Sequence, residues 1–338
     1  MKKPVVMVGA AFSLAGAVQA APNTLEIFGT LDMAVTHLRT DGQSQTGLAH
    51  SGSNISRFGF RGREDLGSGY AAGFWLEGGL HPNLGKGAAE DGGLDFRRRA
   101  TISLFSPYGE LRLGRDDSAT FLSTLLFDPF MTNGVAGTNS FMMLGGPIQI
   151  SNAISYFLPP NLGGIYGQLQ YASGPTSTPS SGNYRGARFG YAQGALNVAL
   201  AAGRQQDNVQ SSLSLANLAA TYDFGFIKPS LILAQEKRGS ARIRAYQLGA
   251  TAPIGQHLIR GSIGKYDVSG QQANADWIKY SVGYAYNFSK TTQIYASCAY
   301  VHNQSGSARA ISVQGMDSPI NSAGRNSQGY QFGIRKFF

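Results

Sequence analysis

Apolar and polar side chains alternate along most of this chain in segments of about ten residues, the length that a strand needs to cross a bilayer. The final segment carries its apolar side chains on one parity, at Tyr330, Phe332, Ile334 and Phe338. The residues between them, Gln331, Gly333 and Arg335, are polar or small. Successive side chains of a strand point to opposite faces, so one face of this segment is oily. Because an exposed oily edge strand invites aggregation, we expect this face to contact lipid and the strand to close a barrel.

The same pattern predicts sixteen strands and no helix after residue 20. The strands are expected near 25–37, 54–64, 72–77, 95–105, 110–115, 150–158, 163–173, 184–193, 195–206, 213–224, 226–238, 240–252, 256–268, 275–288, 291–303 and 327–338. The longer connections fall near 38–52, 82–94, 116–149, 174–183, 207–212, 269–274 and 304–326. Long loops that alternate with short turns are typical of bacterial outer-membrane barrels, and sixteen strands leave a water-filled channel. The predicted fold is all-β, a 16-stranded antiparallel transmembrane β-barrel.

The first twenty residues are expected to be a secretory signal peptide. Lys2 and Lys3 precede a short apolar run from Val5 to Val18, and Val18-Gln19-Ala20 fits a cleavage site. The apolar run is shorter than the roughly twenty residues of a membrane-spanning helix. We therefore expect the protein to be exported, with residues 1–20 as the signal peptide and the barrel occupying residues 21–338.

Composition narrows the classes of function. Charged residues make up 14% of the chain, against about 25% in soluble domains. The net charge of +9 would suit nucleic acid, but export argues against that partner. The five histidines have no metal-ligand spacing, no nucleophile motif is present, and the single cysteine, Cys298, permits no disulfide within the chain. We therefore expect neither an enzyme nor a cofactor.

Arginines on the polar parity of the early strands are the candidate functional residues. Arg57, Arg61 and Arg99 lie opposite the apolar parity, and Arg97 shares their phase. A charge that faces lipid at mid-membrane costs about 2–4 kcal/mol, so these side chains are expected in the lumen. Arg115 breaks the strict alternation and would need a bulge, or the end of its strand, to reach the lumen.

The segment 116–149 has no clean alternation and is long for a loop in a compact domain, which usually indicates function. It supplies Asp116, Asp117 and Asp128, which would face the arginines across the lumen. Guanidinium groups keep their charge at any relevant pH, so they would raise the local concentration of anions. The alternative is purely structural pairing of the arginines with nearby acids, namely Glu64, Glu77, Asp95 or Asp116.

Several motifs resemble those of the general porins of Gram-negative bacteria, in particular the beta-proteobacterial branch. They are IFGTLD at 27–32, SRFGFRGREDLGSG at 56–69, FWLE at 74–77, GELRLGR at 109–115, and the final Gly333-Ile334-Arg335 before Phe338. The resemblance implies a trimer whose third outer loop, here 116–149, folds inward to narrow the pore. It also places Arg57 and Arg115 at positions of family arginines in the constriction. The loop departs from the family pattern, because it is rich in Phe, Leu and Met, and no arginine stands near Asn152.

We therefore expect an outer-membrane porin through which small hydrophilic solutes, and anions above all, diffuse passively. The expected constriction residues are Arg57, Arg61, Arg97, Arg99, Arg115, Asp116, Asp117 and Asp128. The expected partners are the solutes, outer-membrane lipid and lipopolysaccharide, and further copies of the chain in a homotrimer. An alternative from another class is an adhesion or interaction barrel whose outer loops bind a partner while the apolar third loop occludes the pore.

Overall fold

The computed structural model of the protein describes residues 23–174, 182–207, 211–270 and 274–338. The expected signal peptide, residues 1–20, lies outside the described residues. In the described part of the chain, no helix has both the length and the apolar character needed to cross a membrane.

The described residues form one helix and eighteen strands. The strands are β1 (Thr24–Thr40), β2 (Gln43–His50), β3 (Arg57–Gly67), β4 (Tyr70–His81), β5 (Lys86–Gly87), β6 (Arg99–Ser106), β7 (Gly109–Asp117), β8 (Gln149–Phe157), β9 (Ile165–Ala172), β10 (Tyr184–Gln193), β11 (Leu196–Gln206), β12 (Ser212–Tyr222), β13 (Lys228–Arg238), β14 (Ala241–Ile254), β15 (His257–Ser269), β16 (Trp277–Asn287), β17 (Thr292–Asn303) and β18 (Ser327–Phe337). The helix, α1, spans Ala119–Phe127 between β7 and β8.

Two of these elements do not add strands to the wall. β2 and β3 both pair antiparallel with β1, one with each half, so together they form one interrupted barrel strand. β5 is two residues long and pairs only with the end of β4. The wall therefore has sixteen antiparallel strands, and β18 closes it against β1 from Thr30↔Phe337 to Thr40↔Ser327. The predicted fold class is confirmed.

The outward face of the wall carries the apolar parity. On β1, Ile27 and Val35 are 59% and 58% exposed, whereas Thr30, Asp32 and Thr36 on the other parity are buried on the lumen side. The same alternation runs along β18. Because the apolar row lies on the outside of a closed wall, lipid is the environment that would cover it.

The prediction of a long loop at 38–52 is wrong. β1 turns directly into β2 at Asp41-Gly42, where both residues have positive φ, the conformation that a tight hairpin requires. The interruption lies instead at 51–56, where the carboxylate of Asp32 accepts hydrogen bonds from the backbone amides of Gly52, Ser53 and Asn54. The Asp32 side chain therefore replaces the missing strand partners of this segment.

The prediction that no helix follows residue 20 is also wrong. The side chain of Ser118 accepts a hydrogen bond from the amide of Phe121 and caps α1, a local device that satisfies the first free amides of a helix. After α1 the loop folds into the barrel. Phe127, Phe130 and Val135 of the loop pack with inward-facing Ile232 and Trp277 in one apolar cluster. The third outer loop therefore lies against the inner wall, as the resemblance implied.

Candidate constriction of the pore

Charged side chains meet on the inner face of β3, β4, β6 and β7. Strand pairing places Glu77 opposite Arg99, with Trp75 opposite both Arg61 and Thr101, so all of these positions share the inward parity. The four strands are neighbours in the wall, which brings residues far apart in sequence onto one patch.

Within this patch, two carboxylates are each shared by two arginines. Glu77 Oε1 lies 2.7 Å from Arg98 Nε and 3.8 Å from Arg57 Nε. Asp116 Oδ1 lies 3.5 Å from Arg99 Nε, and its Oδ2 lies 2.5 Å from Arg112 Nη1. Glu110 also pairs with the guanidinium of Arg112, at 2.8 Å. We call the set Arg57, Arg98, Arg99 and Arg112, with their three acids, the arginine wall.

An aromatic ring orients the centre of the arginine wall. The guanidinium carbon of Arg99 lies 4.3 Å from the ring centroid of Trp75, and that of Arg61 lies 4.9 Å from the same ring. Trp75 Nε1 donates to Glu77 Oε2 at 3.2 Å. A guanidinium stacked on an aromatic face is held in a fixed orientation and gains cation–π attraction. The ring therefore fixes where the positive groups point.

The eight expected constriction residues are only partly brought together. Arg57, Arg99 and Asp116 belong to the arginine wall, and Arg61 adjoins it while pairing with Glu26. Arg97 pairs with Asp95 just before β6, with 40% of its side chain exposed. Asp117 lies beside the arginine wall and accepts a hydrogen bond from Gln149 Nε2 at 2.8 Å.

Arg115 stands apart from the arginine wall. The pairing of β7 with β8 shifts register between Gly114 and Asp116, and Arg115 is the residue at that irregularity. It pairs with Ala100, on the outward parity of β6. Its guanidinium donates to Ser151 Oγ at 2.6 Å and to the carbonyl oxygen of Arg97. The extra residue of this bulge lies on β8, so alternation along β7 is kept. Asp116 therefore shares the lumen face with Arg112, and Arg115 stays on the outward face at the outer end of the strand.

Asp128 organises the third loop and is 4% exposed. Its carboxylate accepts hydrogen bonds from the amides of Thr132 at 2.8 Å and Thr138 at 3.1 Å, and from Gln247 Nε2 at 2.9 Å. Burial raises the pKa of the Asp128 carboxyl, and these three hydrogen bonds act in the opposite direction. An acid enclosed in this way holds the loop to β14 and does not present its charge at the opening.

Four further cations hold the loop from the other side. Arg188 Nε donates to Ser123 Oγ at 3.0 Å, and Lys279 Nζ donates to the carbonyl oxygen of Gly137 at 2.5 Å. Arg260 and Arg309 reach the carbonyl oxygens of Pro129 and Met143, at 3.5 Å and 3.3 Å. We call these four residues the loop clamp. Within the described ranges, none of them has a carboxylate within 4.0 Å.

Sequence reasoning missed Arg98, Arg112 and the loop clamp. Alternation with outward apolar residues could have indicated that most of these side chains face the lumen. Arg112, for example, lies between Leu111 and Leu113, which are both 43% exposed on the outer face. Arg188 and Lys279 alternate in the same way with outward aromatic residues. Arg98 carries no such signal, since it precedes β6 and is placed by its bond to Glu77.

Helix α1 buries polar side chains against the barrel wall and leaves leucine side chains exposed. Its small and polar residues, such as Ser123 and Thr124, are buried against the wall, whereas Leu126 is 39% exposed and Leu122 and Leu125 are partly exposed. These leucines are spaced as neighbours on one side of a helix. The inner side of the loop is therefore apolar where the sequence suggested acids.

Comparison with known proteins places this architecture in a family. A family model described as Gram-negative porin matches residues 5–306. Outer membrane porin protein 32 of Delftia acidovorans is 33% identical over 360 residues, which cover all of both chains. Major outer membrane protein P.IB of Neisseria meningitidis serogroup B is 24% identical, over 93% of this chain and 98% of the relative.

Solved structures agree. The anion-selective porin from Comamonas acidovorans superposes with a TM-score of 0.86 and 32% identity, covering 94% of this chain and all of that chain. OmpT of Vibrio cholerae has a TM-score of 0.68 at 15% identity, over 95% of this chain, and shows likeness of fold alone. The chain belongs to the Gram-negative porins, as its motifs predicted, and is a β-barrel protein of the outer membrane of a Gram-negative bacterium.

Proposed function

We propose that this porin is an open channel for passive diffusion of small hydrophilic solutes, with a preference for anions set by its lumen cations. The observation that carries the proposal is the loop clamp, four cations on the lumen side that bond to carbonyl oxygens and a hydroxyl and, among the described residues, have no carboxylate within 4.0 Å. The arginine wall adds four guanidinium groups against Glu77, Glu110 and Asp116, with Asp117 beside them. The arginine wall is close to neutral as a set. The loop clamp supplies four positive charges against two more distant carboxylates, Asp128 and Glu236, and so leaves an excess of positive charge.

The physical consequence is a filter without chemistry. Lumen charges with low-dielectric walls behind them raise the local concentration of the opposite ion and lower that of like ions. The arginines also act structurally, because removing one would leave a partly buried carboxylate less compensated. The arginines therefore both pair with nearby acids, which stabilises the strands, and contribute positive charge to the lumen.

The likeness to the Comamonas acidovorans porin supports an anion preference, since that protein's name records the property and its identity to this chain is 32%. No cofactor is required. Within the described residues, no cluster of three or more His, Cys, Asp or Glu is placed to hold a metal ion. We extend the proposal to a homotrimer, which the family resemblance implies, and chemical cross-linking of the detergent-extracted protein should then stop at three copies.

Liposome swelling tests the proposal. Proteoliposomes are challenged with a neutral sugar, a carboxylate anion and an ammonium cation of similar size. We expect permeation in the order anion, sugar, cation. Equal rates for anion and cation would contradict the selectivity. Absence of swelling with every solute would favour the alternative, an occluded barrel that binds a partner through its outer loops.

A further inference from the structure

A depression of about 600 Å³ lies on the lipid-facing side of β8 to β11, at the outer ends of the strands. Strand pairing aligns two outward rows across β9, β10 and β11. The lower row is Leu169, Ala187 and Ala202, and the upper row is Tyr171, Arg185 and Arg204. Two adjacent alanines between larger neighbours leave the hollow, because their methyl groups cannot fill it. The hollow is thus a built feature of the barrel's outer surface with two cations directly above it.

The two arginines face each other as register partners on neighbouring strands. Side chains in such a pair start only about 5 Å apart, and like charges in this position destabilise a sheet. Both are exposed, and within the described ranges Arg204 Nε donates to the hydroxyl of Ser212, at 3.0 Å. Among the described residues, neither guanidinium has a carboxylate within 4.0 Å, and the segments 175–181 and 208–210 contain no acidic residue.

The depth of the pair suits a headgroup rather than an acyl chain. Arg185 is the second residue of β10, and Arg204 lies two residues before the end of β11. Below them the outward positions turn apolar, with Phe189 46% and Leu200 60% exposed. An arginine on the lipid face costs little near the interface but much at the midplane, so the pair marks the boundary of the apolar belt.

We propose that this depression binds one lipid A moiety of lipopolysaccharide from the outer leaflet. Arg185 and Arg204 bracket one of its phosphates, and an acyl chain lies over Ala187 and Ala202. Guanidinium forks match phosphate oxygens in geometry and charge, and a bound dianion removes the repulsion between the two arginines. The long loops place these strand ends on the outer side, where phosphorylated glycolipid is the leaflet's lipid.

The experiment is native mass spectrometry of protein refolded from inclusion bodies and titrated with purified lipid A in detergent. We expect one retained lipid A per chain, and weaker binding by about tenfold for each arginine lost in Arg185→Ala and Arg204→Ala, the size expected of a charge-assisted contact. Dephosphorylated lipid A should bind wild type as weakly as lipid A binds the double variant. Ala187→Trp should weaken binding with both arginines present.

Arg244→Ala is the matched control. Arg244 is also an exposed arginine on the outward parity near the outer end of its strand, but it stands opposite Asp267 and donates to Gln235. Its loss should leave lipid A binding unchanged, and the conductance of every variant should match wild type, which shows that each barrel is folded.

Several results would overturn the proposal. Undiminished binding in the double variant, or an equal loss in Arg244→Ala, would mean that the pair does not select lipid A. Equal binding of phosphatidylglycerol or displacement by millimolar inorganic phosphate would mean a generic anion site. If Ala187→Trp blocks oligomer formation while lipid A still binds, the depression holds a second copy of the chain instead.

Discussion

Replacing Arg99 by alanine should reduce the preference of the channel for anions without unfolding the barrel. Arg99 lies 3.5 Å from Asp116 and stacks at 4.3 Å on Trp75, in the middle of the arginine wall. After its removal Asp116 keeps Arg112, so no carboxylate loses its last partner. The lost cation–π contact is worth roughly 0.5–1 kcal/mol, which a sixteen-stranded barrel tolerates.

The magnitude follows from one unit of charge. At about 10 Å from a permeating ion in water, a unit charge contributes roughly 0.4 kcal/mol, or about a twofold change in local ion concentration. Since anions become scarcer and cations more abundant, the chloride-to-potassium permeability ratio should fall about fourfold at low salt. At about 0.1 M the Debye length is also about 10 Å, so the fall should shrink to about twofold or less.

The assay is the reversal potential of single channels in a planar bilayer under a KCl gradient. Arg99→Lys, which keeps the charge and loses the planar stack, should retain the wild-type ratio. Arg97→Ala is the matched control, because Arg97 pairs with Asp95 outside the arginine wall. If Arg99→Ala keeps the wild-type permeability ratio, or if Arg97→Ala lowers that ratio equally, the position of Arg99 in the arginine wall does not set the preference for anions.

Three further predictions concern the break in the second strand, the third loop and the N terminus. Asp32→Ala should lower the barrel's unfolding free energy by about 2–4 kcal/mol, because it removes the hydrogen-bond acceptor of three backbone amides and of the Tyr295 hydroxyl. Thermal unfolding followed by gel mobility measures this loss. Tyr295→Phe, which removes one of those bonds, should cost less, and an equal or larger cost would contradict this account. Leu126→Glu should reduce the anion preference at little cost in stability, because that side chain is 39% exposed, and an unchanged reversal potential would place Leu126 outside the ion path. Intact mass of protein from the outer membrane should show a mature chain that begins at Ala21, and a retained N-terminal segment would disprove the signal peptide.

The wall of the barrel was predictable because alternation is a property of each strand by itself. Phe332 is 60% exposed and Gln331 is buried, as their parities required. β2 escaped prediction because its residues are polar and small on both faces, and its position depends on pairing with β1. A strand without an oily face gives no periodic signal.

The site was predictable only in part, for a related reason. Parity placed Arg57 and Arg99 in the lumen and would also have placed Arg112. It could not show that Asp128 turns into the loop to cap Thr132 and Thr138, since an irregular segment has no period from which to infer direction. Nor could it show that α1 buries Ser123 and Thr124 and exposes its leucines, because the inner wall is itself polar.

The reversal potential of the wild-type channel in a tenfold KCl gradient shows whether cations or acids of the lumen set the ion preference. We expect stepwise conductance with a reversal potential toward the chloride equilibrium value. The reversal potential should shift toward zero as both solutions approach about 1 M, where the screening length shortens to about 3 Å. A reversal potential on the potassium side would contradict a lumen dominated by the loop clamp. Absence of conductance would contradict an open channel altogether.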